Sequence, residues 1–124
     1  MPYLTFIALQ VRDRAVSRKF YVDLLGFTVD PATSQPAADV LRQDGGATLA
    51  LRDPLHPLPG DSRLGTGAIL WISTGQAVEE LYDVLSQNAV SVLQPPFTTP
   101  FGRALMISDP DGYVLTLLND KPSE

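Results

Sequence analysis

The chain of 124 residues has no cysteine and only one histidine, His56. The first absence excludes disulfide frameworks, thiol nucleophiles, zinc knuckles and iron–sulfur clusters together. The second excludes, within one chain, any metal site that needs two or three imidazoles. His56 itself lies in the proline-flanked stretch Pro54-Leu55-His56-Pro57, which reads as an exposed loop. Basic charge is also scarce: 9 Lys+Arg stand against 14 Asp+Glu, a net charge of −5, and no basic cluster exceeds Arg18-Lys19. This balance opposes phosphate backbones, so neither nucleic acid nor an anionic membrane is an expected partner. No apolar run comes near the ~18 residues that a membrane span requires. Met1-Pro2-Tyr3-Leu4-Thr5 lacks a basic stretch followed by an apolar one, so the expected location is cytoplasmic, without export.

What is present suffices for a core. Hydrophobic residues make up 44% of the chain and charged residues 19%, which excludes disorder as the main state and predicts a single domain over 1–124. Thr5-Phe6-Ile7-Ala8-Leu9-Gln10-Val11 alternates apolar positions at 5, 7, 9 and 11, a strand with one face on a core. Asp13 suits a helix N-cap, and Val16, Phe20, Tyr21, Leu24 and Leu25 recur at helical spacing before Gly26, a residue that ends helices. Phe27-Thr28-Val29 is a short strand. Val40 to Gln43 and Ala47 to Leu51 flank the turn signal Asp44-Gly45-Gly46, giving β-α-β-β-β.

The same order returns about 61 positions later. Ala68, Leu70 and Ile72 answer Ile7, Leu9 and Val11; Thr74 answers the cap Asp13; Leu81, Tyr82 and Leu85 answer Phe20, Tyr21 and Leu24. Val90-Ser91-Val92 is a short strand, and Ala104 to Ser108 and Tyr113 to Leu118 flank the turn Asp109-Pro110-Asp111-Gly112. The organisation is therefore module one at 3–53, a Pro/Gly-rich linker at 54–66 and module two at 67–119. The fold class is α+β: two tandem βαβββ modules forming a curled mixed sheet with a cleft, each sheet having one face on its helix and the other free. Phe6, Ala8 and Gln10, and likewise Gly67, Ile69 and Trp71, point to the free face. Pairing the last hairpin around its turn sets Thr116 opposite Leu105 and Val114 opposite Ile107. That register adds Arg103, Leu105, Ile107, Val114, Thr116 and Leu118 to the same surface.

Two motifs, Phe20-Tyr21-Val22-Asp23-Leu24-Leu25-Gly26-Phe27 and Asp109-Pro110-Asp111-Gly112-Tyr113-Val114-Leu115-Thr116-Leu117, carry a resemblance. From Leu4 to about Leu118 the chain resembles the glyoxalase, bleomycin-resistance and extradiol-dioxygenase superfamily, the vicinal oxygen chelate proteins. The resemblance implies paired βαβββ modules around a cleft, in a homodimer, with metal or ligand inside. Metal-dependent members place ligands in the first and last strands of each module. By the repeat, those positions here are Phe6, Gly67, Ala50 and Thr116, none of which is an anionic or imidazole ligand. The chain is therefore similar to the metal-free bleomycin-resistance branch and its antibiotic-sequestering relatives, which hold a drug-like ligand in the cleft. No metal, cofactor or catalytic residue is expected. The alternative is a lyase, isomerase or dioxygenase of the same superfamily with an atypical site, and a third reading is a scaffold whose cleft its own side chains fill.

The expected ligand-binding residues are Phe6, Gln10, Trp71, Phe97, Phe101, Arg103, Leu105 and Thr116, with Ile107 beside them, a lining suited to a planar, partly apolar ligand. Trp71, the only tryptophan, is either a stacking residue or a core or dimer-interface residue, and Phe6 either a stacking wall or core filler. Pro95 to Arg103 reads as a stiff loop whose two aromatics form the cleft rim or a dimer contact. Arg103 either clamps a ligand carboxylate or phenolate or pairs with Asp109, Asp111 or a surface acid. Asp109 and Asp111 are read as turn residues rather than an acid–base pair, and Glu79-Glu80 as a solvated helix start.

Overall fold

Alternation of apolar side chains and hydrogen-bonding caps sets the elements of this chain, seen in a computed structural model that describes residues 1–42 and 46–120. It divides into two compact units, Met1–Asp61 and Ser62–Glu124. The first carries β1 (Phe6–Gln10), α1 (Arg14–Lys19), β2 (Thr28–Val29), β3 (Ala38–Arg42) and β4 (Thr48–Arg52). The second carries β5 (Ile69–Ser73), α2 (Val78–Gln87), β6 (Ser91–Thr99), β7 (Gly102–Ser108) and β8 (Val114–Asn119). Each unit has a four-stranded sheet of matching order, β1-β4-β3-β2 and β5-β8-β7-β6. In both, the first and last strands run parallel and the remaining pairs antiparallel. This is the tandem βαβββ architecture, laid out as two four-stranded mixed sheets.

In the first unit the Asp13 carboxylate accepts from the N–H groups of Ala15 (3.0 Å) and Val16 (3.2 Å), the cap expected of it. The helix then widens into a π-helical turn over Phe20–Leu24 that sequence spacing does not announce. Gly26, at φ 82°, ends it, and the Phe27 N–H reaches back to the Tyr21 carbonyl at 3.0 Å. Ser17, Phe20 and Tyr21 are buried, whereas Val16, expected in the core, faces solvent because it lies one residue off that stripe. Leu9, Leu41, Leu49 and Leu51 form the core beneath the helix. Arg18 (3.1 Å) and Arg14 (3.7 Å) both reach the buried Asp39 of β3 from α1. Of the expected turn and its approach, Gln43, Asp44 and Gly45 lie outside the described residues.

In the second unit three expectations are corrected. Thr74 is not a cap: its N–H and hydroxyl bond the Leu118 carbonyl, which prolongs the strand, and α2 starts after Ala77. Gly67 lies before β5, so Ile69, not Gly67, corresponds to Phe6 at the start of a first strand. The segment from Pro95 is not a loop but the second half of β6, an edge strand. Its register against β7 shifts between Val92 and Gln94 and again between Gln94 and Phe97, and Pro95 and Pro96 sit in that second gap. An edge strand with bulges tolerates the missing proline N–H groups. Val78, Leu81 and Leu85 of α2 cover Leu105, Ile107, Leu115 and Leu117, all buried; each fully buried side chain of this kind contributes about 1.5–3 kcal/mol.

The last hairpin carries the fourth correction. Leu105 pairs with Leu117, Met106 with Thr116 and Ile107 with Leu115, one residue away from the expected register. The cause lies in the turn, where the Asp109 N–H bonds the Tyr113 carbonyl at 2.9 Å and Asp109 Oδ1 accepts from both Asp111 N–H and Tyr113 N–H at 2.9 Å. Tyr113 is thereby drawn into the loop, and strand pairing resumes only at Ser108 and Val114. One added loop residue exchanges the faces of β7.

Candidate ligand-binding face

The corrected register decides which side chains share the face of the second sheet that points away from α2. Trp71 of β5 lies beside Thr116 of β8, and Thr116 beside Met106 of β7. Ile69 and Val114 flank them on one side, Ser73, Leu118 and Ala104 on the other, and Phe97 of β6 pairs with Ala104. Leu105 and Ile107 project to the opposite face and are fully buried in the core beneath α2. They are not part of this surface, contrary to the sequence expectation. Arg103 shares their side: its Nε donates to Glu79 Oε1 of α2 at 2.8 Å and its Nη1 to Thr98 Oγ1 at 3.2 Å. It is the pairing with a surface acid, not the ligand clamp, that the structure shows. The hydrogen bond from Arg103 holds the Glu79 carboxyl below its ordinary value.

The aromatics converge. The Trp71 and Phe101 rings meet edge to face, with centroids 5.8 Å apart and planes at 82°. Both stay open to solvent, Trp71 at 49% and Phe101 at 68% exposure, an unusual cost for large apolar rings in a free chain. Phe101 is held in place by the turn between β6 and β7. Its N–H donates to Thr99 Oγ1 at 3.1 Å, and that hydroxyl donates to the Gly102 carbonyl at 2.7 Å. Gly102 has φ 139°, and a Cβ there would stand 2.3 Å from the Asn119 carbonyl oxygen, so only glycine closes this turn. Thr116, in the centre, is 0% exposed, and among the described residues its hydroxyl oxygen has no hydrogen-bond partner.

In the first unit Phe6 lies on the face away from α1 and is 45% exposed. Gln10 shares that face, and its Oε1 accepts the Leu55 N–H at 2.8 Å, tying β1 to the segment that follows β4. His56, next to Leu55, is exposed as expected. Sequence reading missed a recess of about 450 Å³ at the start of β5, bounded by Arg63, Thr66, Ala68, Ile69, Gly112 and Val114. The glycines of this stretch are legible only as linker punctuation, although Gly65 makes room for the Tyr113 ring and Gly112 for Arg63, close approaches that a Cβ would block. The Leu64 N–H bonds the Asp111 carbonyl at 3.0 Å and so docks the linker's end on that turn.

The family's metal positions can be tested on these strands. Ala50 stands beside Ala8 and Thr116 beside Trp71, so the two are counterparts, as the repeat predicts. Phe6 and Ala50 in the first unit offer no donor atom, and Ile69 and Thr116 in the second offer one neutral hydroxyl. Among the described residues no three His, Cys, Asp or Glu come together. Neither pair fits a divalent ion. Asp109, whose Oδ1 is occupied by two backbone N–H groups, serves the turn.

Two mixed βαβββ sheets with these motifs define the class, and comparison agrees. Residues 3–117 match the Glyoxalase/Bleomycin resistance protein/Dioxygenase superfamily, and the chain belongs to it. Among its relatives is the phenazine antibiotic resistance protein EhpR of Enterobacter agglomerans, 27% identical over an alignment of 96 positions that covers 72% of this chain and 71% of that one. The structure of TnmS3, an antibiotic binding protein from Streptomyces sp. CB03234, is 30% identical, with a TM-score of 0.70 over 99% of this chain and 98% of that one. A glyoxalase/dioxygenase from Nostoc punctiforme, 22% identical over 97% of this chain and 92% of that one, shares the fold with a TM-score of 0.76. Among the described residues no helix is long and apolar enough to cross a membrane.

Proposed function

We propose that this chain is a metal-independent small-molecule-binding protein that sequesters a planar, partly aromatic ligand, drug-like or metabolite, against Trp71 and Phe101. The observation that carries the reading is that solvent-exposed aromatic pair, fixed by a hydrogen-bonded turn on the sheet face away from α2. An edge-to-face aromatic corner whose two rings stay exposed is suited to stacking a flat ligand. The kinship with a phenazine antibiotic resistance protein and an antibiotic binding protein supports the same class of ligand. Phe97 and Thr116 are further ligand contacts in this reading, Phe6 and Gln10 are assigned a ligand-binding role on the corresponding face of the first unit, and Arg103 and Leu105 leave the set because they face α2. The protein acts as a cytoplasmic homodimer, a second copy covering exposed apolar side chains such as Tyr3 and Leu4. The donor set at the family's metal positions favours holding a ligand over converting it.

The test is a titration of phenazine-1-carboxylate followed by quenching of Trp71 fluorescence. Saturable quenching, unchanged by a chelator and without product formation, is expected. Trp71→Ala, measured by calorimetry, lowers affinity by about 10-fold or more, because stacking and burial of the indole together contribute ~1.5–2 kcal/mol. Absence of saturable binding across a panel of planar tricyclic compounds, with the protein folded by circular dichroism, refutes the reading.

A further inference from the structure

Thr116 combines two properties that ordinary folding disfavours. It is fully buried, and its hydroxyl oxygen has no hydrogen-bond partner among the described residues. A buried polar group without a partner is destabilising, and a valine of the same shape would avoid the penalty. Neither neighbour across the strands satisfies it here: Met106 offers only a weak sulfur acceptor, and the Trp71 indole N–H, though a possible donor, makes no bond to this oxygen. Met106 is only part-buried and has a flexible side chain, so it can move aside for a molecule that occupies this face beside Trp71. Among the described residues, the buried hydroxyl beside Trp71 is thus left without a hydrogen-bond partner.

We infer that Thr116 is a specificity-determining residue whose hydroxyl donates to a hydrogen-bond acceptor on the rim of a planar ring system, so that heteroaromatic ligands with an acceptor ring nitrogen or carbonyl are selected over aromatic hydrocarbons of the same shape. This rests on the binding reading above and goes further in assigning the polar atom that discriminates among flat ligands. Sites built to hydrogen-bond a ligand reject the analogue lacking that atom, because their own buried group stays unpaired.

The experiment compares phenazine-1-carboxylate with anthracene-1-carboxylate, which has C–H groups where phenazine has ring nitrogens, by calorimetry on wild type, Thr116→Val and Thr116→Ser. Wild type is expected to prefer the phenazine by about 5–10-fold, the range of one neutral hydrogen bond. Thr116→Val removes the preference by weakening the phenazine alone, and Thr116→Ser keeps it. In the absence of ligand, Thr116→Val melts about 3 °C or more above wild type, since it loses an unsatisfied group and keeps the packing. A Thr116→Val protein that melts lower, or that retains the preference, overturns the inference while leaving the binding reading intact. If wild type binds neither compound, the binding reading falls and this inference with it.

Discussion

Replacing Asp109 by alanine tests whether the acidic turn near the end of the chain is structural. Asp109 is 5% exposed, and its Oδ1 takes the N–H groups of Asp111 and Tyr113, each at 2.9 Å. Hydrogen bonds to a charged acceptor contribute roughly 1.5–3 kcal/mol each, and alanine leaves two donors unpaired. Tyr113 is only part-buried, so water recovers some of the loss at its N–H. The expected cost is about 3–4 kcal/mol, a large share of the ~5–15 kcal/mol that holds a domain folded. Asparagine retains an acceptor oxygen without the charge and costs about 1–2 kcal/mol. Urea unfolding followed by circular dichroism measures both: the midpoint falls markedly for Asp109→Ala and by about half as much for Asp109→Asn, with the slope unchanged. An Asp109→Ala protein within about 1 kcal/mol of wild type would refute the turn argument. It would also remove the explanation given for the hairpin register, since that carboxylate is what draws Tyr113 into the loop.

Two further outcomes follow from the second unit. The Glu79 carboxyl, accepting from Arg103 at 2.8 Å, titrates below its ordinary 4.5, so its contribution to stability is present above that value and is lost as pH falls through the lowered one. Carbon-13 NMR titration is expected to show the lowered value in wild type and its return toward 4.5 in Arg103→Ala, whereas an unmoved Glu79 would break the assignment of Arg103 to that acid. Ala89 holds a left-handed backbone, φ 58°, after α2, with the Val90 N–H bonded to the Leu85 carbonyl at 3.0 Å. Ala89→Gly is expected to stabilise the protein by about 0.5–1 kcal/mol in thermal unfolding, because glycine carries no Cβ penalty there.

The repeat and its topology were legible because they rest on alternation and on local caps. Asp13, Gly26 and the odd and even faces of β1 need no information from elsewhere in the chain. The second cap was misplaced because Thr74 has a side chain suited to capping but spends it, with its N–H, on the Leu118 carbonyl, a partner 44 residues away. The strand at Pro95-Pro96 was hidden because proline marks breaks in most contexts, and only its position at a sheet edge makes it tolerable. Of the site, Trp71 and Thr116 are legible as residues on one face and Phe101 only as a rim or dimer-contact aromatic, because the contact between Trp71 and Phe101 depends on the geometry of the turn between β6 and β7.

The slip of one residue in the last hairpin changes the chemistry of the candidate site more than any other departure. With Leu105 and Ile107 on the face that carries Trp71, two bulky aliphatic side chains would stand in the sheet's middle and Arg103 would close its end. The observed register puts Ala104, Met106 and Ser108 there instead. Alanine adds little bulk beside Phe97, and methionine is flexible enough to yield to a ligand of varied outline. The same exchange sends Leu105 and Ile107 beneath α2, where they complete a core with Leu81 and Leu85, and places Arg103 within reach of Glu79. A single carboxylate in the turn thus determines both that the core is filled and that the opposite face has room next to its one tryptophan. If the face binds a flat ligand, loss of Asp109 should weaken that binding as well as the fold, although Asp109 lies in the turn and not on the face itself.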